Sequence, residues 1–428
     1  MTATEPQEKL VRQMGAAGIW LLAVNGMIGA GIFGVPAGAA ALTGAWSPLL
    51  FVGCGLLLAA VMLCFAELST YFRSTGGPIL YTRTAFGPLA GFETGWAFYV
   101  ARVTAFAANL NLLIASIGFF WPGAEQGAIK VALIALVVGL LAWVNVVGVR
   151  AAMRSISVLT ILKFLPLVLL ALFGLSYLPA HFATAATALP DIGAVGTAAL
   201  LVIYAFVGWE AAVVPAGETR EPQRDMPRGL FWALGVVTLL YVVVQAVSIA
   251  VHPDLATSER ALVEVGGILF GPAGALLLTV GVVVSVGGNI ASTVVTAPRL
   301  TYALARDGTL PAWLGEVHPR FRTPVNSILF FAVLAFALAV YGSFLWLAAM
   351  SALVRVLIYM ACIASMPRLR RQFGAEASSF RMPGGWTIPA GAFLVCGLLL
   401  VKVSVSAVAV TASFLAVGAV IYWLMRRR

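Results

Sequence analysis

Long apolar runs separated by short polar stretches dominate the chain. Val131–Trp143 and Leu230–Val251 contain no charged residue at all. With their flanks, such runs reach the roughly 20 residues that an α-helix needs to cross a hydrocarbon layer. In lipid each backbone polar group must be satisfied within its own segment, so a continuous apolar run is a helix. A barrel would instead show short strands alternating apolar and polar residues. The pattern predicts an all-α integral membrane protein with about 12 spans. They cover 16–41, 46–70, 88–120, 128–148, 156–178, 193–216, 229–251, 266–303, 325–341, 343–366, 386–402 and 404–425. The last two are nearly continuous, and Lys402-Val403-Ser404 is the expected turn between them. Residues 73–87 are polar and rich in Gly and Pro, and read as a loop or short helix at the surface.

Composition supports lipid as the solvent. Of 428 residues, 61% are hydrophobic and 10% charged, whereas soluble domains carry about 25% charge. The net charge of +10 raises the question of a nucleic-acid partner, and its distribution answers it. With the N-terminus inside, 20 of the 26 Lys and Arg residues fall in cytoplasmic segments. Only Lys130, Arg260 and Lys402 fall outside, and Arg102, Lys163 and Arg355 lie within spans. This is a positive-inside bias. It predicts a multi-pass protein of a cell membrane, bacterial inner membrane in type, with both termini cytoplasmic and no nucleic-acid partner. Residues 1–15 form a polar cytoplasmic segment ahead of an uncleaved first span. Cys54, Cys64, Cys362 and Cys396 sit in apolar stretches, and His181, His252 and His318 in separate loops. Neither set has metal-ligand spacing, so the sequence calls for no metal and no cofactor. A Walker motif is also missing. These features argue against an ATP-driven pump and a membrane enzyme, and the scarcity of polar residues in the spans argues against a passive channel.

Two spans are chemically irregular. The first reads Asn25-Gly26-Met27-Ile28-Gly29-Ala30-Gly31-Ile32-Phe33-Gly34, with Pro36 close behind. Each glycine weakens a helix by about 1 kcal/mol relative to Ala. The sixth reads Tyr204-Ala205-Phe206-Val207-Gly208-Trp209-Glu210, followed by Pro215 and Gly217. Irregular backbone at membrane depth is tolerated where it is buried in protein or lines a cavity. Glycines also serve plain close packing, but irregular spans in first and sixth place suggest two five-helix repeats. An odd number of spans per repeat makes the second repeat inverted. The predicted organisation is a first repeat over 16–178, a second over 193–366, and two additional C-terminal helices over 386–425. Half-helix N-termini at the breaks suit a carboxylate, and freed carbonyls suit an ammonium. Together they fit a zwitterion.

These residues resemble a known family. Gly29-Ala30-Gly31-Ile32-Phe33 resembles the first-span motif of the amino acid–polyamine–organocation transporters. Phe65-Ala66-Glu67-Leu68-Ser69, Gly76-Gly77 and Ala85-Phe86-Gly87-Pro88 resemble their second span and re-entrant loop. Phe206-Val207-Gly208-Trp209-Glu210, Glu218 and the 221–227 loop resemble their sixth span and its exit, and Pro298-Arg299 with Leu310-Pro311 the end of their eighth. The resemblance implies the leucine-transporter fold. By matching positions, the N–H groups of Ala30 and Gly31 would meet a substrate carboxylate, and the carbonyls of Met27, Tyr204 and Val207 an α-ammonium. Phe206 and Trp209 would wall or gate the side-chain pocket. Met27, Ile28, Gly29, Ala30, Gly31, Tyr204, Phe206, Val207, Gly208 and Trp209 therefore make up the candidate substrate site. Ala30 replaces the hydroxyl residue often found in the motif, which weakens any carry-over from arginine exchangers.

Ionisable groups inside a membrane cost at least about 2.5–3.5 kcal/mol and call for a reason. Lys163, in the fifth span, matches a position where sodium-independent relatives carry a lysine in place of a coupling sodium. It is a candidate proton switch or a permanent ammonium tying the fifth span to the first. Glu210 is a candidate gating group, and Arg102 is expected either to pair with it or to meet an acidic substrate. Arg355 is read as snorkelling or structural. Glu67 is read as a structural group that caps a surface helix or touches an inner arginine. Arg220, Arg224 and Arg228 are read as an inner-surface anchor, with Pro222 and Pro227 breaking regular structure. The expected function is secondary active transport of neutral amino acids, by proton-coupled symport or by exchange, without sodium. A cationic amino acid or polyamine exchanger is the alternative, and a passive channel the rival of another class. The partners implied are an amino acid, a proton as coupling ion and the lipid bilayer.

Overall fold

The computed structural model describes residues 14–72, 76–147, 156–179, 189–214, 219–373, 380–401 and 403–427. The sequence features at Arg73, Arg150, Arg154, His181, Pro215, Gly217, Glu218 and Lys402 lie outside the described residues. The fold is all-helical, and the described residues contain no strand beyond one isolated bridge, Met14 to Thr219. The helices in chain order are α1 (Ala16–Met27), α2 (Gly31–Thr43), α3 (Ser47–Thr70), α4 (Pro78–Phe86), α5 (Pro88–Gly118), α6 (Gly127–Val147) and α7 (Ile156–Gly174). They continue with α8 (Ile192–Phe206), α9 (Pro222–Val251), α10 (Ala261–Arg306), α11 (Val325–Tyr341), α12 (Phe344–Phe373), α13 (Thr387–Val401) and α14 (Val405–Arg426). Among the described residues, 8 helical stretches are long and apolar enough to cross a membrane, and further apolar helices are shorter. This is a multi-span helical membrane protein.

The helix ends follow local chemistry. Asp191 caps α8 by accepting the Ala194 N–H at 3.1 Å, and Ser404 caps α14 by accepting that of Ala407 at 3.3 Å. Such caps satisfy donors that the first helical turn leaves open. The turn expected around 402–404 falls between α13 and α14. α10 starts five residues before the predicted span and is kinked at Gly271, whose φ of +65° suits glycine, just ahead of Pro272. The expectation that Pro222 and Pro227 break regular structure is corrected, because α9 begins at Pro222 and runs through Pro227. A proline at the first helical position loses nothing, since the N–H it lacks would be unpaired there. Pro227 removes one further bond without ending the helix. Residues 73–87 do contain a short helix, α4.

α5 is the hub of the bundle. It packs against α4, α10, α11, α12 and α14. Of its most apolar stretch, 78% is buried, against 17% for α6. Leu136, Leu140 and Trp143 of α6 point outward and are mostly exposed, which in this chain means facing lipid. α1 packs on α9, α2 on α8, and α7 on α10. The first and sixth predicted spans are therefore packed against each other.

Candidate functional site

The first span is interrupted as its glycines suggested. α1 ends at Met27, residues 28–30 lie outside both helices, and a new helix starts at Gly31 with Ala30 as its N-cap. Ile28 has ψ of 87°, which takes its carbonyl out of the helical ladder. The N–H groups of Ala30 and Gly31 meet no backbone acceptor among the described residues. The sixth span is interrupted too, at Val207 and Gly208, after which a single 3₁₀ turn covers Trp209–Ala212. Gly208 has φ of +113°, a left-handed conformation that glycine adopts without strain.

The two breaks touch backbone to backbone. A Cβ on Gly26 would lie 2.2 Å from the Gly208 carbonyl oxygen, and one on Gly208 2.3 Å from that of Gly26. A Cβ on Gly31 would lie 2.3 Å from the Ala205 Cα. These glycines are required for the crossing itself, so the packing role and the break coexist. Gly29 faces the Asn289 side chain of α10, whose Nδ2 is 3.1 Å from where a Cβ would stand.

Each break is held by polar groups from its surroundings. Lys163 of α7 is buried at 1% exposure. Its Nζ donates to Asn25 Oδ1 at 2.8 Å and to the Ile28 carbonyl at 3.2 Å. The Ser285 hydroxyl donates to the same carbonyl at 3.3 Å. The Tyr241 hydroxyl of α9 lies 2.9 Å from the Met27 carbonyl and 3.2 Å from that of Ala205, bridging the two broken helices. Met27, expected to offer an open carbonyl, therefore already has a donor. On the other side, Glu210 Oε2 accepts the Gly208 N–H at 2.7 Å. That N–H would otherwise close the last helical turn on the Tyr204 carbonyl. The Tyr204 carbonyl consequently meets no backbone donor among the described residues, and neither does that of Val207, because the Ala211 N–H goes to the Gly208 carbonyl.

The pairing foreseen between Arg102 and Glu210 is not found. Glu210 receives the Tyr359 hydroxyl and lies 3.4 Å from Arg355 Nε, both on α12. Arg355 also donates to the Ala101 carbonyl and to Ser351, the structural one of the two roles read for it, with Glu210 as a partner that the sequence did not indicate. The reason is rotational: the turn after α8 aims Glu210 at α12, while Arg102 points along α5 towards α10. There Arg102 Nη1 donates to Thr296 Oγ1 at 3.2 Å.

The candidate walls divide by face. Phe206 packs on Phe51 and Tyr241, with ring centroids 6.2 and 5.2 Å away, and Trp209 on Phe65 and Tyr359, at 5.0 and 5.6 Å. Tyr204 turns instead to α5, donating to Asn109 Oδ1 at 2.7 Å, and Asn109 donates to Asn289 Oδ1 at 2.9 Å. Asn109 and Asn289 were missed. Both are neutral amides inside largely apolar spans, a signal visible in the sequence although neither carries a charge.

Glu67 behaves as a structural group. Its carboxylate is fully buried and takes Arg370 Nε and Nη2 at 2.6 and 2.8 Å, the Tyr71 hydroxyl at 2.7 Å and the Met382 N–H at 3.1 Å. Arg370 also lies 4.2 Å over the Trp386 ring. This hub ties the ends of α3 and α12 to the segment leading into α13.

An all-helical membrane bundle whose first and sixth spans are broken and crossed is the architecture of a carrier. The chain belongs to the amino acid permease family, whose model matches residues 18–425. It is 27% identical to the branched-chain amino acid permease BcaP of Bacillus subtilis, over 100% of this chain and 96% of that protein. It is 28% identical to the serine/threonine exchanger SteT of Bacillus subtilis, over 93% of each. It is 30% identical to the mouse large neutral amino acids transporter small subunit 2, over 75% of this chain and 63% of that protein. The protein is a membrane transporter of amino acids.

Proposed function

We propose that this permease carries neutral amino acids by proton-coupled symport or by exchange, without sodium, through two inverted five-helix repeats whose broken helices form the site. Both termini lie on the cytoplasmic side in this reading. The observation that carries it is the crossing of the two breaks at Gly26 and Gly208. The crossing leaves N–H groups open on one broken helix and carbonyls open on the other. In this reading Ala30 and Gly31 take the substrate carboxylate, and the carbonyls of Tyr204 and Val207 take its ammonium.

The preference for a neutral side chain rests on charge. A cationic substrate needs an available carboxylate, and Glu210 is engaged by Arg355, Tyr359 and Gly208. The groups beside Gly29 are the neutral amides Asn109 and Asn289. The relatives named for branched-chain, serine/threonine and large neutral substrates support the same class. Sodium independence rests on Lys163, whose ammonium already meets the freed Ile28 carbonyl. A fixed monovalent charge there does what a bound sodium would do for the break.

The test is uptake into liposomes containing the purified protein. The expected result is saturable uptake of neutral amino acids, accelerated by internal substrate or by an inward proton gradient, and unchanged when choline replaces sodium. Uptake that requires sodium, or that is confined to cationic amino acids or polyamines, would refute this reading.

A further inference from the structure

The interface of α5 and α10 carries a polar seam with two rungs. One is Asn109 to Asn289, beside Gly29. The other is Arg102 to Thr296. Arg102 is seven residues before Asn109 on α5, and Thr296 is seven after Asn289 on α10. Seven residues are nearly two helical turns, about 10 Å. The seam therefore runs along one interface from the crossing of the breaks to a guanidinium.

That guanidinium is poorly matched. Its partner is a hydroxyl whose own hydrogen is donated to the Ser292 carbonyl at 2.9 Å. Among the described residues no carboxylate lies within ion-pair distance of Arg102. The acid close enough to act on it through space is Glu210, and that group is committed to Arg355, which adds a second positive charge nearby. Two guanidiniums thus stand near one carboxylate, and among the described residues it pairs with Arg355 and not with Arg102. Two other cations of the bundle are better supplied. Lys163 has an amide oxygen and a carbonyl, and Arg370 has a bidentate carboxylate. Arg102 is also the less enclosed group, half-buried where Lys163 and Arg355 are buried. Charge in a membrane is costly, and a planar guanidinium presents a fork that fits a carboxylate.

We propose that Arg102 is a second carboxylate-binding station, two turns of α5 from the helix breaks, which the substrate occupies on its way to or from the crossing. The proposal rests on the reading of this chain as an amino acid carrier with its site at the breaks. The carboxylate has two sources, the α-carboxylate that every amino acid carries or the side-chain carboxylate of an acidic one.

The experiment compares wild-type protein, Arg102→Gln, Arg102→Lys and the exposed-charge control Arg371→Gln in liposomes, with alanine, leucine, aspartate and glutamate as probes. Arg102→Gln is expected to raise KM about tenfold or more, the loss of one charge-assisted contact. Arg102→Lys should recover part of this, and Arg371→Gln should match wild type. A rise shared by all four substrates assigns the station to the α-carboxylate. A rise confined to aspartate and glutamate assigns it to the side chain. The melting temperature of the substrate-free protein is the second readout. Removing an unmatched charge should leave it equal or higher in Arg102→Gln. A variant that melts lower or fails to fold would make Arg102 a structural cation and overturn the proposal, as would a KM within twofold of wild type for every probe. A wild-type protein that transports none of these amino acids would strike at the carrier reading instead.

Discussion

The two helix breaks meet at one point but are held open by opposite charges. At the first, a cation and hydroxyls from neighbouring helices take the freed carbonyls: Lys163 and Ser285 on Ile28, Tyr241 on Met27. At the second, a carboxylate two residues along the same turn takes a freed N–H, Glu210 on Gly208. Backbone at membrane depth has no water to fall back on, so a break persists only with such caps. The sign of the cap decides what is left over. The first break, capped at its carbonyls, keeps N–H groups at Ala30 and Gly31. The second, capped at an N–H, keeps carbonyls at Tyr204 and Val207. A pair of breaks capped in opposite sense is matched to a ligand with an anionic and a cationic end.

The most severe way to break this arrangement is to fill the contact between the breaks. Gly208→Ala puts a Cβ 2.3 Å from the Gly26 carbonyl and imposes φ of +113° on a residue that resists it. Backbone strain of that kind alone costs about 1–3 kcal/mol, and the collision adds to it. The expected outcome is loss of the monodisperse protein in size-exclusion chromatography and loss of uptake. Gly26→Ala should behave alike. A folded, active Gly208→Ala protein would mean that the breaks do not cross this closely.

The next largest effect concerns the anionic cap. Glu210→Gln leaves Arg355 without its carboxylate, and removing one partner of a buried pair costs about 3–5 kcal/mol. The melting temperature should fall steeply. The double variant Glu210→Gln with Arg355→Gln should recover part of the loss, while Glu210→Gln with Arg102→Gln should recover less. Equal recovery in the two doubles would mean that Glu210 serves both arginines alike.

The cationic cap should show up in function more than in stability. Lys163→Met leaves the Ile28 carbonyl with Ser285 alone and Asn25 without its ammonium. Uptake should drop about tenfold or more, since a hydrogen bond to a charged group is worth about 1.5–3 kcal/mol. If its proton is the coupling event, residual uptake should lose its dependence on external pH. Intact uptake with an unchanged pH profile would remove Lys163 from the mechanism and leave the sign contrast between the caps without functional meaning.

The breaks themselves were legible in the sequence, because Gly26, Gly29, Gly31 and Gly208 interrupt apolar runs in which little else does. The choice of charge partners was not. In a soluble helix, polar residues mark the outward face and thereby fix its rotation. In a membrane helix both the lipid face and the core face are apolar, so residue spacing gives no rotation and does not show that Arg355, and not the expected Arg102, meets Glu210. Asn109 and Asn289 illustrate a different gap. They are uncharged, and their meeting depends on two helices 180 residues apart in sequence packing in one register. Pro222 misled for a third reason: a proline reads as a breaker, yet at the first position of a helix it is a starter.

The mildest test separates the crossing from its caps. Tyr241 sends one hydroxyl between the Met27 and Ala205 carbonyls, one from each broken helix. It has a single proton, so it donates to one at a time and couples the two breaks through a shared donor. Tyr241→Phe keeps the ring contacts to Phe51 and Phe206 and removes only that donor. A neutral hydrogen bond contributes about 1 kcal/mol net, so the melting temperature should fall by a few degrees at most. The Met27 carbonyl would keep the Gly29 N–H, at 2.9 Å, and regain one acceptor site for a substrate ammonium, the partner that the family resemblance implied. If the shared hydroxyl withholds that carbonyl, KM for neutral amino acids should stay level or drop slightly even as stability declines. A clear rise in KM would instead mean that the hydroxyl positions the two breaks for the substrate, making Tyr241 a positioning residue of the site as well as its cap.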